Sequence, residues 1–216
     1  MLKSKKNVIW EALVVTVAIF LAGLFFGVLM EQGNSAKISN LYLQSEISLA
    51  DAMATSRLTE DFNFNCNEIK QSNIDFANRI YEEAKLLEKY EESGELTSGM
   101  SLLHKKYSLL RTLLWTSNQK SLNRCNNYNL VVYLYESQNE DTAVKAKQNV
   151  WSKILLDMKM ENNDILLLPI AADQNLTSLD LLIDEHGITN FPALIINNDK
   201  VLYSLESVES TQAFLD

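Results

Sequence analysis

The chain has 216 residues and a net charge of −9, and removing Lys3, Lys5 and Lys6 from its first six residues leaves −12. Such acidity argues against a nucleic-acid partner, which needs a basic footprint. The length accommodates one membrane segment plus one or two small domains, and the scarcity of glycine (6) and proline (2) argues against long disordered linkers.

Ala12 to Met30, "ALVVTVAIFLAGLFFGVLM", contains no charged residue. As a helix it reaches about 28 Å, close to the thickness of a bilayer's hydrocarbon core. A secretory signal has a shorter apolar stretch and a small-residue cleavage site, and Asn34-Ser35-Ala36 is a poor one. An uncleaved single-pass anchor over residues 8–30 is therefore favoured over a cleaved signal. Lysines before it and Glu31 after it predict a cytoplasmic tail at 1–7, with the remaining chain on the outer side of a cell membrane. Gly23 and Gly27 form a GxxxG extended by Ala18 and Ala22. Such a face lets two membrane helices approach closely, so a homodimer through it is one expectation. The plainer alternative is that glycine is common in membrane helices.

Residues 31–127 read as a helical region. Three stripes recur at steps of three and four: Ile38, Tyr42, Ser45, Leu49, Met53; Ala77, Ile80, Tyr81, Ala84, Leu87, Tyr90; and Leu103, Tyr107, Leu110, Leu114. Gly94 and Gly99 punctuate a break between the second and third, which predicts an antiparallel hairpin. Whether the first helix continues the membrane span or breaks at Gly33-Asn34-Ser35 is left open by the pattern. The chain's two cysteines, Cys66 and Cys125, fall at hairpin ends that lie side by side. In an oxidising compartment they are expected to form a disulfide. Closing a loop of that length stabilises the fold by about 4 kcal/mol in the chain-entropy model. A structural staple is the preferred reading and a redox-active pair the alternative. Cys125 ends a helix, where the dipole disfavours a thiolate.

Residues 128–216 change character. Leu130–Glu136 is a β-branched and aromatic run, hence a strand; Asp141–Met158 is a helix, with Val144, Val150, Trp151, Ile154 and Leu155 on its apolar side. Asp164–Asp173 is a second buried strand. Thr177–Glu185 is a short helix closed by Gly187. Ala193–Asn197 and Lys200–Leu205 are two strands joined by a tight turn, and Val208–Leu215 is a last helix. The order β-α-β-α-β-β-α predicts a parallel βαβ unit followed by an antiparallel hairpin, and an α+β fold for the chain.

That order, with "HGITNFPALIINN" (His186–Asn198) placing Pro192 at the mouth of a strand, resembles the thioredoxin-like superfamily over residues 129–216. The resemblance implies a cis Pro192 and, beside Asn190 and Phe191, exposed backbone able to pair with an extended partner segment. It also implies a C-x-x-C at the start of the first helix, and "YESQNEDTAVKAKQ" (Tyr135–Gln148) has none. Aligning on Gln148 puts Thr142 and Lys145 at the two cysteine positions. Thiol–disulfide exchange requires a thiolate, so the usual chemistry cannot run there.

The remaining candidates have plain readings. His186 is expected to meet the last carbonyls of its helix, and His104 to face solvent. Asp173, Asp180, Asp184 and Glu185 read as a solvated face rather than a metal site. Asn175-Leu176-Thr177 fits a glycosylation acceptor. No metal or cofactor is expected. The expected function is non-catalytic: a membrane-tethered, redox-inactive thioredoxin-like protein that binds or scaffolds a protein or peptide partner through Asn190, Phe191, Pro192, Thr142 and Lys145. One alternative is an oxidoreductase cycling Cys66 and Cys125; another is an oligomerising scaffold acting through the helical hairpin.

Overall fold

The structure is a computed structural model that describes residues 5–92, 100–122, 124–125, 127–205, 207–208 and 211. The elements are α1 (Lys5–Asp61), α2 (Cys66–Glu92), α3 (Met100–Leu122), β1 (Asn129–Tyr135), α4 (Thr142–Glu161), β2 (Ile165–Ala171), α5 (Thr177–Glu185), β3 (Ala193–Ile196) and β4 (Lys200–Leu202). The fold is mixed α+β. The chain divides within α1 into two compact units, Met1–Leu43 and Gln44–Asp216.

In the first unit the helix runs through Gly33-Asn34-Ser35 without a break, which answers what the pattern left open. Trp10–Leu29 is apolar enough to cross a membrane, with a mean hydropathy of 2.7, and none of this window is buried within the protein. Phe20, Phe25 and Phe26 are all exposed. A side chain that large is costly to leave in water.

The second unit begins with the rest of α1, packed on α2 and α3. Gln44 donates to Glu83 (2.8 Å), Arg79 pairs with Asp51 (3.2 Å), and Lys106 pairs with Glu46. Here the expected stripe needs correction. Tyr42 and Met53 are exposed and Leu49 is half-buried; Ser45 of that stripe is buried as expected, and Ser48 and Ala52, outside it, are buried too. Small side chains face the neighbouring helices because they let backbones approach, while Met53 points outward. The side chain of Ile38 lies outside the described residues. The hairpin stripes fare better: Ala77, Ile80, Leu87, Leu103, Tyr107, Leu110 and Leu114 are all buried. The break around Gly94 and Gly99 lies outside the described residues.

Helix α2 starts where Asn65 and Glu68 cap it reciprocally: Asn65 Oδ1 accepts from Asn67 N–H (3.0 Å) and Glu68 Oε2 accepts from Asn65 N–H (3.1 Å). Cys66 and Cys125 are joined, their Cα atoms 5.4 Å apart. A buried polar triad then ties the hairpin to the sheet. Asn118 Oδ1 accepts from Asn73 (2.7 Å) and from the Tyr128 hydroxyl (2.5 Å), and Asn118 Nδ2 donates to Leu114 O (2.7 Å).

The sheet has the order β2-β1-β3-β4. Strand β1 is parallel to β2 and antiparallel to β3, which is antiparallel to β4. Alternation sends Val131, Tyr133, Ile165, Leu194 and Ile196 into one core with Trp151, Leu155 and Met158 of α4. Val150, expected on that side, is exposed at the edge of the helix. Leu130, Val132, Leu134, Leu166, Leu168 and Ile170 alternate to the other face and are equally buried, so both faces of the sheet are covered. That explains why β1 and β2 read as near-continuous apolar runs. Helix α5 spans the expected residues and ends in a Schellman turn: Gly187 has φ 61°, its N–H reaches Asp184 O and Ile188 N–H reaches Ile183 O. The helix expected at Val208–Leu215 falls mostly outside the described residues.

Candidate functional site

The C-terminal ends of β1 and β2, the start of α4 and the loop entering β3 meet at one end of the sheet. Asp141 begins α4 by accepting from Ala143 N–H (2.7 Å). Thr142 and Lys145 follow on the first turn, both exposed. Gln148, one turn further, is buried and works as a splint rather than a marker. Its Oε1 accepts from Glu136 N–H (2.6 Å) and its Nε2 donates to Glu136 O (3.1 Å). A paired amide of this kind fixes the chain as β1 ends.

Asp173, just beyond β2, braces the same loop. It accepts from the Ser137 hydroxyl (2.7 Å) and from Gln138 N–H (2.6 Å). Gln174 donates to the same hydroxyl (2.9 Å). Partial burial opposes ionisation of Asp173, but the bonds from Gln138 and Ser137 outweigh it and hold the carboxyl below its ordinary value. Asp173 thus leaves the solvated acidic group to which its sequence neighbours assign it, while Asp180, Asp184 and Glu185 are exposed as expected. No cluster able to hold a metal occurs among the described residues.

The Phe191–Pro192 bond is cis. Pro192 is buried, Phe191 half-buried, and Thr189 and Asn190 exposed. The backbone N–H groups of Asn190 and Phe191 have no hydrogen-bond partner among the described residues. Leu134 pairs with Ala193, so this open segment lies beside the end of β1. No described contact joins Thr142 or Lys145 directly to Pro192. The link runs through Tyr203, which sequence reasoning missed: Lys147 of α4 donates to its carbonyl (3.1 Å), and its hydroxyl accepts from Thr189 N–H (3.4 Å). In the sequence it is only one residue of the run Lys200–Leu205 read as a strand, of which the structure keeps Lys200–Leu202.

The cysteines lie with the opposite end of the sheet, beside Tyr128 and the start of β1. Cys125 is 1% exposed, and Cys66 opens α2. His186 behaves as read, Nδ1 lying 2.8 Å from Leu182 O, and its ring packs against Trp115. His104 is half-buried rather than solvent-facing. Asn175, of the glycosylation pattern, is exposed with φ 51°.

The site thus belongs to an α+β protein with a four-stranded mixed sheet, a helical layer and an apolar N-terminal helix. The sequence matches no protein-family model and no curated protein, and the structure matches no solved structure.

Proposed function

We propose that this chain is a membrane-anchored protein whose outer lobe is a redox-inactive thioredoxin-like domain that binds an extended segment of a partner protein at the Asn190–Pro192 loop. One observation carries the reading. The sheet order β2-β1-β3-β4, with a parallel βαβ unit and Pro192 opening β3, suits that superfamily, and the helix start where its thiol chemistry would sit offers Thr142 and Lys145 instead. Without a thiolate the site can hold a chain but not exchange a disulfide. The unpaired N–H groups of Asn190 and Phe191 are what a strand-like partner would use, and Lys145 offers an exposed cation alongside. Cys66–Cys125 serves as a staple: it joins the start of α2 to the chain after α3, and burial shields the Cys125 sulfur. The three N-terminal lysines set the anchor with its tail in the cytoplasm. Gly23 and Gly27 leave an open face in the span for a second copy, a Cβ at either meeting nothing within 4 Å.

The test uses the full chain in lipid nanodiscs, with a photo-crosslinker at Asn190 or, as control, at exposed Asp157 of α4. An extended-peptide library should label the Asn190 position selectively. Equal labelling at both sites, or insulin-disulfide reduction above that of a Cys66→Ser/Cys125→Ser variant, sinks the reading.

A further inference from the structure

A cavity of about 330 Å³ lies among α2, α3, α4, β1 and β2. Its lining combines apolar walls from Leu155, Leu167 and Pro169, the rings of Tyr81 and Tyr133, and one buried cation, Arg111. None of the residues of the Asn190–Pro192 site lines it, so it stands apart from the function proposed above.

Arg111 is unusual in its solitude. It is 9% exposed, yet its guanidinium has no hydrogen bond and no carboxylate partner among the described residues. The titratable groups acting on it are the hydroxyls of Tyr135, Tyr107 and Tyr81, all neutral near pH 7. Glu83, a buried carboxylate of α2, accepts from Gln44 through Oε1 and is acted on by the Tyr107 hydroxyl and the charge of Arg79, while its Oε2 is buried without a hydrogen bond among the described residues. Glu88 lines the same cavity but is exposed. Lys159 adds a second cation to the wall. It donates to Asn78 Oδ1 (2.6 Å), sits over the Tyr81 ring, and burial pulls its ammonium below the ordinary value. A buried charge without a partner is strongly destabilising, and natural cores pair such charges. A second cavity, of about 250 Å³ between α1, α2 and α3, shows the contrast: its Asn73 is bonded to Asn118 and its Asp51 to Arg79.

We propose that the Arg111 cavity is a binding site for a small organic monocarboxylate, its carboxylate on the Arg111 guanidinium and its apolar body against Leu155, Leu167 and Pro169. The fork of guanidinium donors suits a planar carboxylate. The apolar walls favour a hydrocarbon or aromatic body over a bare inorganic ion, and the volume is at the small end of ligand pockets.

The experiment uses the full chain in nanodiscs, with empty nanodiscs as the partition control. Three probes are titrated: 3-phenylpropionate, 3-phenylpropanamide and inorganic phosphate. The acid should bind at least about tenfold more tightly than the amide, the margin expected of a hydrogen bond to a charged group. It should raise the unfolding temperature where the amide does not. Phosphate should do neither. Arg111→Met should remove the preference for the acid, and by relieving the lone charge should raise the unfolding temperature of the unliganded protein. Equal binding of acid and amide, no binding of either, or a phosphate effect matching that of the acid overturns the proposal. So does an Arg111→Met protein that keeps the acid preference. If that variant does not fold, the three probes on the unmodified chain decide the matter.

Discussion

The two ends of the sheet make a useful comparison. At the end where β1 begins and β3 finishes, several polar groups are tied to one another and to the helical layer. Asn197 and Asn198 turn the hairpin with φ of 50° and 61°. Asparagine tolerates that left-handed region better than most residues. Asn197 N–H and Oδ1 bond Leu130, and its Nδ2 bonds Asn129 (2.7 Å). Asn198 accepts from the Trp115 indole (2.7 Å), Lys70 pairs with Asp164 (2.5 Å), and the disulfide and the Asn118 triad lie nearby in the chain. At the other end, Gln148 and Asp173 fix the loop after β1, but the backbone at Asn190 and Phe191 is left open. One end is built for stability and the other is free to meet a partner. Backbone donors left unpaired at a surface cost little while water covers them and gain when a chain replaces it.

Four measurements can break or sharpen that contrast. The largest effect is expected from Cys125→Ser, which removes the crosslink at the tied end. Chemical denaturation should show a loss of about 2–5 kcal/mol. An unchanged midpoint would mean the staple contributes nothing. Next comes Asn198→Ala, which deletes the acceptor of the buried Trp115 N–H and puts alanine at positive φ. The same assay should register a loss of about 1–3 kcal/mol.

A smaller effect belongs to Asp173, because its carboxyl is partly solvated. Its value is depressed in the folded protein, so its contribution is complete above the unfolded carboxylate value of about 3.9. It disappears as pH falls through the lower folded value. Asp173→Asn should remove that part of the acid loss in a pH series of melts; an identical acid profile for both proteins would show that the brace is not electrostatic. The smallest effect is expected from Asn190→Ala at the open end, within about 0.5 kcal/mol of the parent protein. A loss as large as that of Asn198→Ala would erase the difference between the two ends.

Much of this was legible before any fold was seen. Helix α5 matches its expected range, and β1 and β2 lie within their expected runs or a residue or two of them. Strands buried on both faces announce themselves as unbroken apolar runs, and Gly187 marks a helix end by its conformation. The pairing of the cysteines also followed from where two helices start and stop. The misreadings have one cause. In α1, Tyr42 and Met53 looked like part of the packing stripe because they are large and apolar, yet of that stripe it is Ser45 that is buried, together with Ser48 and Ala52, which were not in it. In α4, Val150 kept its helical spacing but lies outside the covered arc. Periodicity identifies a face; the neighbour decides how wide it is and what size fits.

Of the candidate site, the sequence supplied Pro192, the thiol-free helix start and Gln148, but not the reason Gln148 matters. Local chemistry by itself determined the apolar span, the helix caps, the strand identities and the absence of sulfur at the start of α4, because each depends on residues a few positions apart. Only the tertiary structure decided that Tyr203 joins α4 to the Thr189 loop, that Asn198 holds Trp115 across 83 residues of sequence, and that Arg111 lines a cavity with no carboxylate paired to it among the described residues. Those facts depend on which distant side chains arrive at the same place, and the packing of the helical layer against the sheet sets that.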